Sequence, residues 1–333
     1  MALKYRNMRI FGIIAQAFYF TELKLLKTYF LSPRYWPIWF ALFTLRLIVF
    51  LPTQIGFWIG RLLGRLLYYT NKKRRNIARI NIKTCLPELS DEAHNELVYK
   101  HFESLGMSLI GIGIGWWKSE ATIKKMVEVQ GKEHLDKVMR EGKSVIFLSA
   151  HFNSLETAGR LFASQFSYDV YGVYQANSNP LLDNIIIKNR SKSVAGVISH
   201  QDIRQMIYKL KENAIVWYAP DQGYRGKYSE MVDFFGEPAA SNTATSRLAK
   251  LSKATVMPFF IYQKPDYSGY VLKILPPIEN FPTKDPVADT LTYHHILEEA
   301  IREAPEQYLW IHRRFKRRPA QYPDLYRDIV LRK

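Results

Sequence analysis

Between Ser144 and Glu156 the chain reads Ser-Val-Ile-Phe-Leu-Ser-Ala-His-Phe-Asn-Ser-Leu-Glu, and its periodicity changes within that stretch. The first half is a short unbroken apolar run, as expected of a strand buried between two helical layers. The run stops at His151, and after a polar Asn-Ser pair Leu155, Ala158, Leu161 and Phe162 recur at helical spacing. Strand, tight turn and helix are predicted, the unit of an open α/β sheet, which binds ligands at the carboxyl edge of its strands. The corner puts an imidazole, His151, at the strand end and a carboxylate, Glu156, one turn into the helix. Such a carboxylate can accept the proton of one ring nitrogen and leave the other free as a base. The same pair also suits a plain role, as a satisfied polar group and a helix-dipole partner. Spacing alone does not decide between them.

Charge narrows the partners. Forty-seven Lys and Arg against thirty Asp and Glu leave a net charge of +17, which calls for nucleic acid, an anionic membrane or an acidic carrier protein. Cys85 is the only cysteine, so neither a disulfide framework nor a Cys-rich metal site is expected. The 333 residues suffice for a large core in one domain or two.

The first 35 residues are basic and aromatic, with Lys4, Arg6, Arg9, Lys24, Lys27 and Arg34, and lack a small-residue cleavage site after a compact apolar core. Residues 36–51 are nearly all apolar, broken by Arg46 and closed by Pro52. The run is slightly short of the roughly 20 residues a full span needs. Residues 55–69 set Arg61 and Arg65 on one face and Leu62, Leu63, Leu66 and Leu67 on another, the pattern of a helix lying in an interface. Lys72, Lys73, Arg74, Arg75 and Arg79 follow at once. Cations this dense beside an apolar run favour membrane attachment over a buried helical hairpin. Because they flank the run on both sides, they give it no orientation.

Residues 90–115 read as one long helix capped by Ser90. Gly111, Gly113 and Gly115 alternate with Ile near its end, which suits close packing; no strand precedes them, so they make no dinucleotide fingerprint. His94 and His101, a heptad apart with no third ligand, read as surface residues. From Val127 onward, helices over 132–141, 155–166, 180–192, 202–211, 241–252 and 291–303 alternate with strands over 145–150, 168–174, 215–219, 255–262 and 270–275. The fold class is α/β, with a largely parallel sheet flanked by helices.

Other features cluster where such a sheet would present them. Arg190 ends the helix that starts at Asn179-Pro180. Tyr218-Ala-Pro-Asp221-Gln222 follows a buried strand, so its polar groups, Asp221 among them, should sit at the same sheet edge as His151. Ser241-Asn242-Thr243-Ala-Thr245 opens a helix whose amino end suits an anion or oxyanion. The run from Pro305 to Arg318 is both aromatic and cationic, with His312, Arg313 and Arg314 at its centre. No Gly-x-Ser-x-Gly elbow, phosphate-binding Gly-Lys-Thr loop or His-Glu-x-x-His helix is present.

Together these pieces resemble the late acyltransferases of lipid A biosynthesis, the lauroyl and myristoyl transferases of Gram-negative inner membranes, within the wider glycerolipid acyltransferase superfamily. The likeness runs from about Tyr35 to Arg318. It rests on Arg34-Tyr35-Trp36, His151-Phe-x-Ser-Leu-Glu156, Asn179-Pro-Leu-Leu-Asp183, Trp217-Tyr-Ala-Pro-Asp221 and Pro305-Glu-Gln-Tyr-x-Trp-x-His312-Arg-Arg-Phe-Lys316. The last motif is nearer the lauroyl-type branch, as is Glu156, where the superfamily more often has Asp. The family commonly continues Ala-Pro-Asp with a second Asp and Tyr-Gly; Gly223, Tyr224 and Arg225 stand here instead, so only Asp221 is carried over from this loop.

The resemblance implies a glycerolipid-acyltransferase-like domain over 76–333 and a membrane-associated helical region over 1–75. It implies transfer of a fatty acyl chain from acyl carrier protein to a 3-hydroxyacyl hydroxyl of a phosphorylated lipid A precursor, on the cytoplasmic face of the inner membrane. No metal or other cofactor is called for. His151 would be the general base, oriented by Glu156. Donors near Asn242 and Thr243 would hold the oxyanion. Arg190, Arg313 and Arg314 would bind phosphates, and Asp221 would belong to the substrate site. The alternatives are another acceptor lipid, such as a glycerophosphate or lysophospholipid, and a non-catalytic lipid-binding relative. A nucleic-acid-binding protein is disfavoured, because much of the charge flanks an apolar segment and no nucleic-acid module is recognisable.

Overall fold

The computed structural model describes residues 29–331. The early cations Lys4, Arg6, Arg9, Lys24 and Lys27 lie outside them, as does most of the first 35-residue stretch. Four helices lead in: α1 (Trp36–Phe50), α2 (Thr53–Thr70), α3 (Lys72–Cys85) and the long α4 (Asp91–Trp117). The Ser90 hydroxyl caps α4 by accepting from the Ala93 N–H at 3.2 Å. A short α5 (Glu120–Lys125) then delivers the chain to the sheet.

The sheet region runs β1 (Val127–Gln130), α6 (Lys132–Arg140), β2 (Val145–Leu148), α7 (Leu155–Ala163), β3 (Val170–Tyr174), α8 (Pro180–Arg190), β4 (Gly196–Ser199), α9 (Ile203–Lys211) and β5 (Ile215–Tyr218). After a separate antiparallel hairpin, β6 (Ser229–Phe234) and β7 (Glu237–Asn242), come α10 (Ala244–Ser252), β8 (Thr255–Gln263), β9 (Tyr270–Ile274) and α11 (Pro286–Glu303). The seven-stranded order is β1-β9-β8-β2-β5-β3-β4, parallel throughout except for β8 against β9. A short α12 (Arg327–Leu331) closes the described chain.

β2 lies between β5 and β8, and all four of its side chains are buried, which explains its unbroken apolar run. The chain leaves β2 toward β3 and β4, returns with β5 to pair beside β2, and later adds β8 on the opposite side. The order therefore reverses at β2, the topological position where doubly wound sheets open a crevice.

α2 and α4 cross almost backbone to backbone. A Cβ at Gly64 would lie 2.1 Å from the Phe102 carbonyl oxygen, and one at Gly106 would lie 2.0 Å from that of Gly60. Only glycine permits this approach. The close packing expected of Gly111, Gly113 and Gly115 is present, against Tyr270, the Leu45 and Val49 side chains, and Thr157 respectively.

Two expectations are corrected. His94 and His101 are buried, at 5% and 0% exposure, because α4 is enclosed by sheet, helices and the C-terminal run. One ring nitrogen of His94 bonds the Leu86 carbonyl at 2.8 Å, and one of His101 bonds the Glu306 carbonyl at 3.0 Å. Arg61 and Arg65 turn inward rather than toward an outer polar face. Arg65 Nε donates to Glu103 at 2.6 Å and Arg61 Nη2 at 3.2 Å, so both guanidiniums neutralise a carboxylate on α4. The outward side of α2 instead carries Trp58, Leu62, Leu63 and Leu66, and that of α1 carries Phe40, Phe43, Leu47 and Phe50. Among the described residues no helix is long and apolar enough to cross a membrane.

Candidate active site

Parallel pairing builds the site. Leu148 of β2 stands opposite Tyr218 of β5, and the Ser149 N–H reaches the Tyr218 carbonyl at 2.8 Å. Three residues beyond each strand end stand His151 and Asp221. The His151 Nδ1–H donates to Asp221 Oδ1 at 2.6 Å. Asp221 Oδ2 accepts from the His151 backbone N–H and from the Tyr308 hydroxyl, each at 3.1 Å. Asp221 is only 1% exposed, so three donors hold a buried carboxylate in one orientation. With Nδ1 so engaged, the proton is fixed there and Nε2 is left to act as a base.

The electrostatics follow from burial and pairing. Burial alone would lower the His151 pKa, but the charge and hydrogen bond of Asp221 outweigh it and raise the pKa above 6.5. Burial likewise pushes Asp221 upward, yet the imidazole's charge and hydrogen bonds hold its carboxyl below the ordinary value. Each partner favours the charged form of the other.

Glu156 lies in the first turn of α7, as its spacing predicts, but its carboxylate does not take the His151 ring proton. It is gripped by Arg190, with Nε to Oε1 at 3.1 Å and Nη2 to Oε2 at 2.5 Å. Asn179 caps the start of α8 by accepting from the Leu181 and Leu182 N–H groups, and the helix delivers Arg190 at its far end. The guanidinium also lies 4.9 Å from the Tyr174 ring centroid. Glu156 and Arg190 thus form a bidentate pair beside the histidine.

A half-exposed histidine paired with a buried acid at the switch point of an α/β sheet fits acyl transfer to a hydroxyl, and comparison with known proteins names the family. The model of the bacterial lipid A biosynthesis acyltransferases matches residues 23–317. The chain belongs to that family. It is 37% identical to the lipid A biosynthesis lauroyltransferase of Escherichia coli strain K12, over 92% of this chain and 100% of that protein. To the palmitoleoyltransferase of the same strain it is 36% identical, over 89% and 96%. To the myristoyltransferase it is 27% identical, over 89% and 94%.

In this lipid A acyltransferase the remaining expected site residues divide. Asn242 ends β7 instead of opening a helix; its side-chain NH₂ donates to the Tyr218 hydroxyl at 2.8 Å and its oxygen accepts from the Ala244 N–H at 3.0 Å. The Thr243 hydroxyl donates to the Tyr228 carbonyl at 3.1 Å. Both side chains are therefore committed to holding the loop. Arg314 is 4% exposed and donates to the Ala240 carbonyl at 3.0 Å and Ser241 Oγ at 2.7 Å, a structural cation rather than a phosphate clamp. Arg313 is half-buried beside it.

Spacing did not single out Tyr308 or Asn81 as parts of the site. Tyr308 reaches Asp221 because the 305–312 run lies along the His151 corner: Leu309 N–H bonds the His151 carbonyl at 3.0 Å and Asn153 N–H bonds the Gln307 carbonyl at 2.7 Å. Asn81 of α3 donates to the Trp310 and His312 carbonyls, both at 2.6 Å, and fastens that run from behind. The signal for Tyr308 is its place in the aromatic run, beside the cations Arg313 and Arg314.

Proposed function

We propose that this acyltransferase moves a fatty acyl chain from an acyl carrier protein thioester to the hydroxyl of a 3-hydroxyacyl chain on a phosphorylated lipid A precursor. The observation that carries the reading is the His151 ring, fixed through Nδ1 by buried Asp221 at the sheet edge, with Nε2 unpaired among the described residues. Nε2 takes the proton of the acceptor hydroxyl, and Asp221 stabilises the imidazolium that forms. The alkoxide adds to the thioester carbonyl, the C–S bond breaks, and the departing thiolate recovers the proton from His151. Glu156 holds Arg190, whose Nη1 has no partner among the described residues, faces away from the carboxylate and suits an anionic group of the acceptor. The relatives' names support the lipid A acceptor, and the higher identity to the lauroyl- and palmitoleoyltransferases than to the myristoyltransferase supports the lauroyl-type branch.

The same reading places the protein on the cytoplasmic face of the inner membrane, where acyl carrier protein and the precursor meet. Phe40, Phe43 and Phe50 of α1 and Trp58 and Leu66 of α2 are exposed by 58 to 74%, an apolar surface suited to the acyl region of a bilayer. Lys72, Lys73 and Arg74, directly after α2, are exposed as well and suit anionic headgroups or an acidic carrier. Acyl transfer assayed in detergent with tetra-acylated precursor and a panel of carrier thioesters tests the proposal. The precursor should gain one acyl chain, and folded His151→Ala should lose about 100- to 10,000-fold in rate. No gain from any donor, or a gain only on a glycerophosphate or lysophospholipid, would overturn the proposed acceptor.

A further inference from the structure

His151 faces a small cavity of about 10 Å³, room for roughly one water-sized oxygen, with His312 on its wall. Most polar groups lining the cavity are already committed. Tyr308 donates to Asp221, Asn81 donates to two backbone carbonyls, and Arg314 spends its Nη groups on Ala240 and Ser241, which leaves only its buried Nε without a partner among the described residues. Asn242 and Thr243, the donors expected from the sequence, do not line this cavity. The His312 ring has no hydrogen-bond partner among the described residues, and its backbone is held rigidly. Its carbonyl accepts from Asn81 at 2.6 Å, its N–H reaches the Leu309 carbonyl at 3.3 Å, and the Arg74 guanidinium bonds the preceding carbonyl at 3.0 Å.

Resting on the acyl-transfer reading, we infer that His312 is a further catalytic residue, whose neutral imidazole donates its one N–H to the oxyanion of the tetrahedral intermediate. Acid and base roles are then separated. His151 carries the proton from hydroxyl to thiolate, while His312 transfers none and stabilises the oxygen that gains charge as the thioester C=O bond opens. The surroundings keep the ring neutral. Burial is the main cause, and although Asp221 pulls the other way, His151, Arg314 and Arg317 add to it and hold the His312 pKa at about 4. A neutral imidazole has one donor and one acceptor, and a pKa of about 4 leaves this ring unprotonated near pH 7. Gln222 also lines the cavity, on the loop that follows Asp221, without the backbone bracing of His312.

The test is acyl transfer by the full chain across pH 5.5 to 9 for wild type, His312→Phe, His312→Asn and Gln222→Leu. Thermal unfolding of each variant is measured alongside. Wild-type transfer establishes the underlying reaction first, so failure there is separate from failure here. His312→Phe should lower kcat by about 100- to 1,000-fold, with KM for the carrier thioester little changed and the acid limb unmoved. His312→Asn, which restores an N–H donor, should recover at least tenfold of that loss. Unchanged kcat in His312→Phe would overturn the inference. So would equal losses in Phe and Asn, a loss explained by unfolding, a shifted acid limb at unchanged plateau rate, or a large loss confined to Gln222→Leu.

Discussion

His151 and Asp221 are separated by 70 residues, yet their contact follows from one fact of register, that β2 and β5 pair in parallel with Leu148 opposite Tyr218. The strand end and its histidine were legible in the sequence because an apolar run stops at a polar turn. That Asp221 shares the edge was legible too. Its bond to the ring was not, because strand order cannot be read from spacing, and the carboxylate five positions on, Glu156, looked like the natural partner. The chain instead sets Glu156 against Arg190, a residue from another helix. Tyr308 supplies the third hydrogen bond to Asp221, and its removal is a clean probe. Tyr308→Phe should lose about 1–3 kcal/mol of stability in urea unfolding, the cost of leaving a buried charged acceptor short of a donor. Transfer should persist at a reduced rate, because the His151–Asp221 bond remains. Unaltered stability would mean that the hydroxyl does not serve Asp221.

Elements with strong periodicity were readable: α4 begins at its predicted Ser90 cap, α9 at Asp202 and β2 at its apolar run. Elements that draw their stability from tertiary pairing were not. β4 is four residues with one fully buried side chain, and the β6–β7 hairpin mixes charges, Pro and Ala, so neither announces a strand. Nor did the start of α10: Ser241 and Asn242 resemble a helix cap but complete β7. The α2–α4 crossing has a sharp consequence. Gly106→Val would drive a side chain into the Gly60 and Gly64 backbones, which have no flexible end to move aside. Overpacking of this kind costs about 1–3 kcal/mol or more, so the thermal midpoint should fall by several degrees. An unchanged midpoint would show that the helices separate freely.

For the whole molecule, the inner and outer faces of the leading helices reverse the usual arrangement. α2 buries glycines and Phe57, sets half-exposed Arg61 and Arg65 against the buried Glu103 of α4, and exposes tryptophan and leucines. From the sequence, the apolar and basic faces were visible, but which one turns inward depends on Glu103, a residue of α4. If that outer surface enters the bilayer, the combined variant Phe40→Ser, Phe43→Ser and Leu66→Ser should weaken flotation with anionic vesicles more than tenfold, even in high salt, since each buried apolar side chain contributes about 1.5–3 kcal/mol. Binding lost only on raising salt would assign attachment to the cations instead. At the sheet edge, Asp221 holds the His151 ring with Nε2 placed to act as the base of the proposed transfer, while Glu156 is paired with Arg190. The direct measurement is the pH dependence of kcat/KM for acyl transfer in wild type, Asp221→Asn and Glu156→Gln. Because Asp221 raises the His151 pKa and the active base is lost as pH falls through it, the wild-type acid limb should lie above 6.5. It should move to lower pH in Asp221→Asn, by more than in Glu156→Gln, with a large fall in the plateau rate. An acid limb that stays put in Asp221→Asn and moves in Glu156→Gln would contradict the assignment and return the histidine to Glu156.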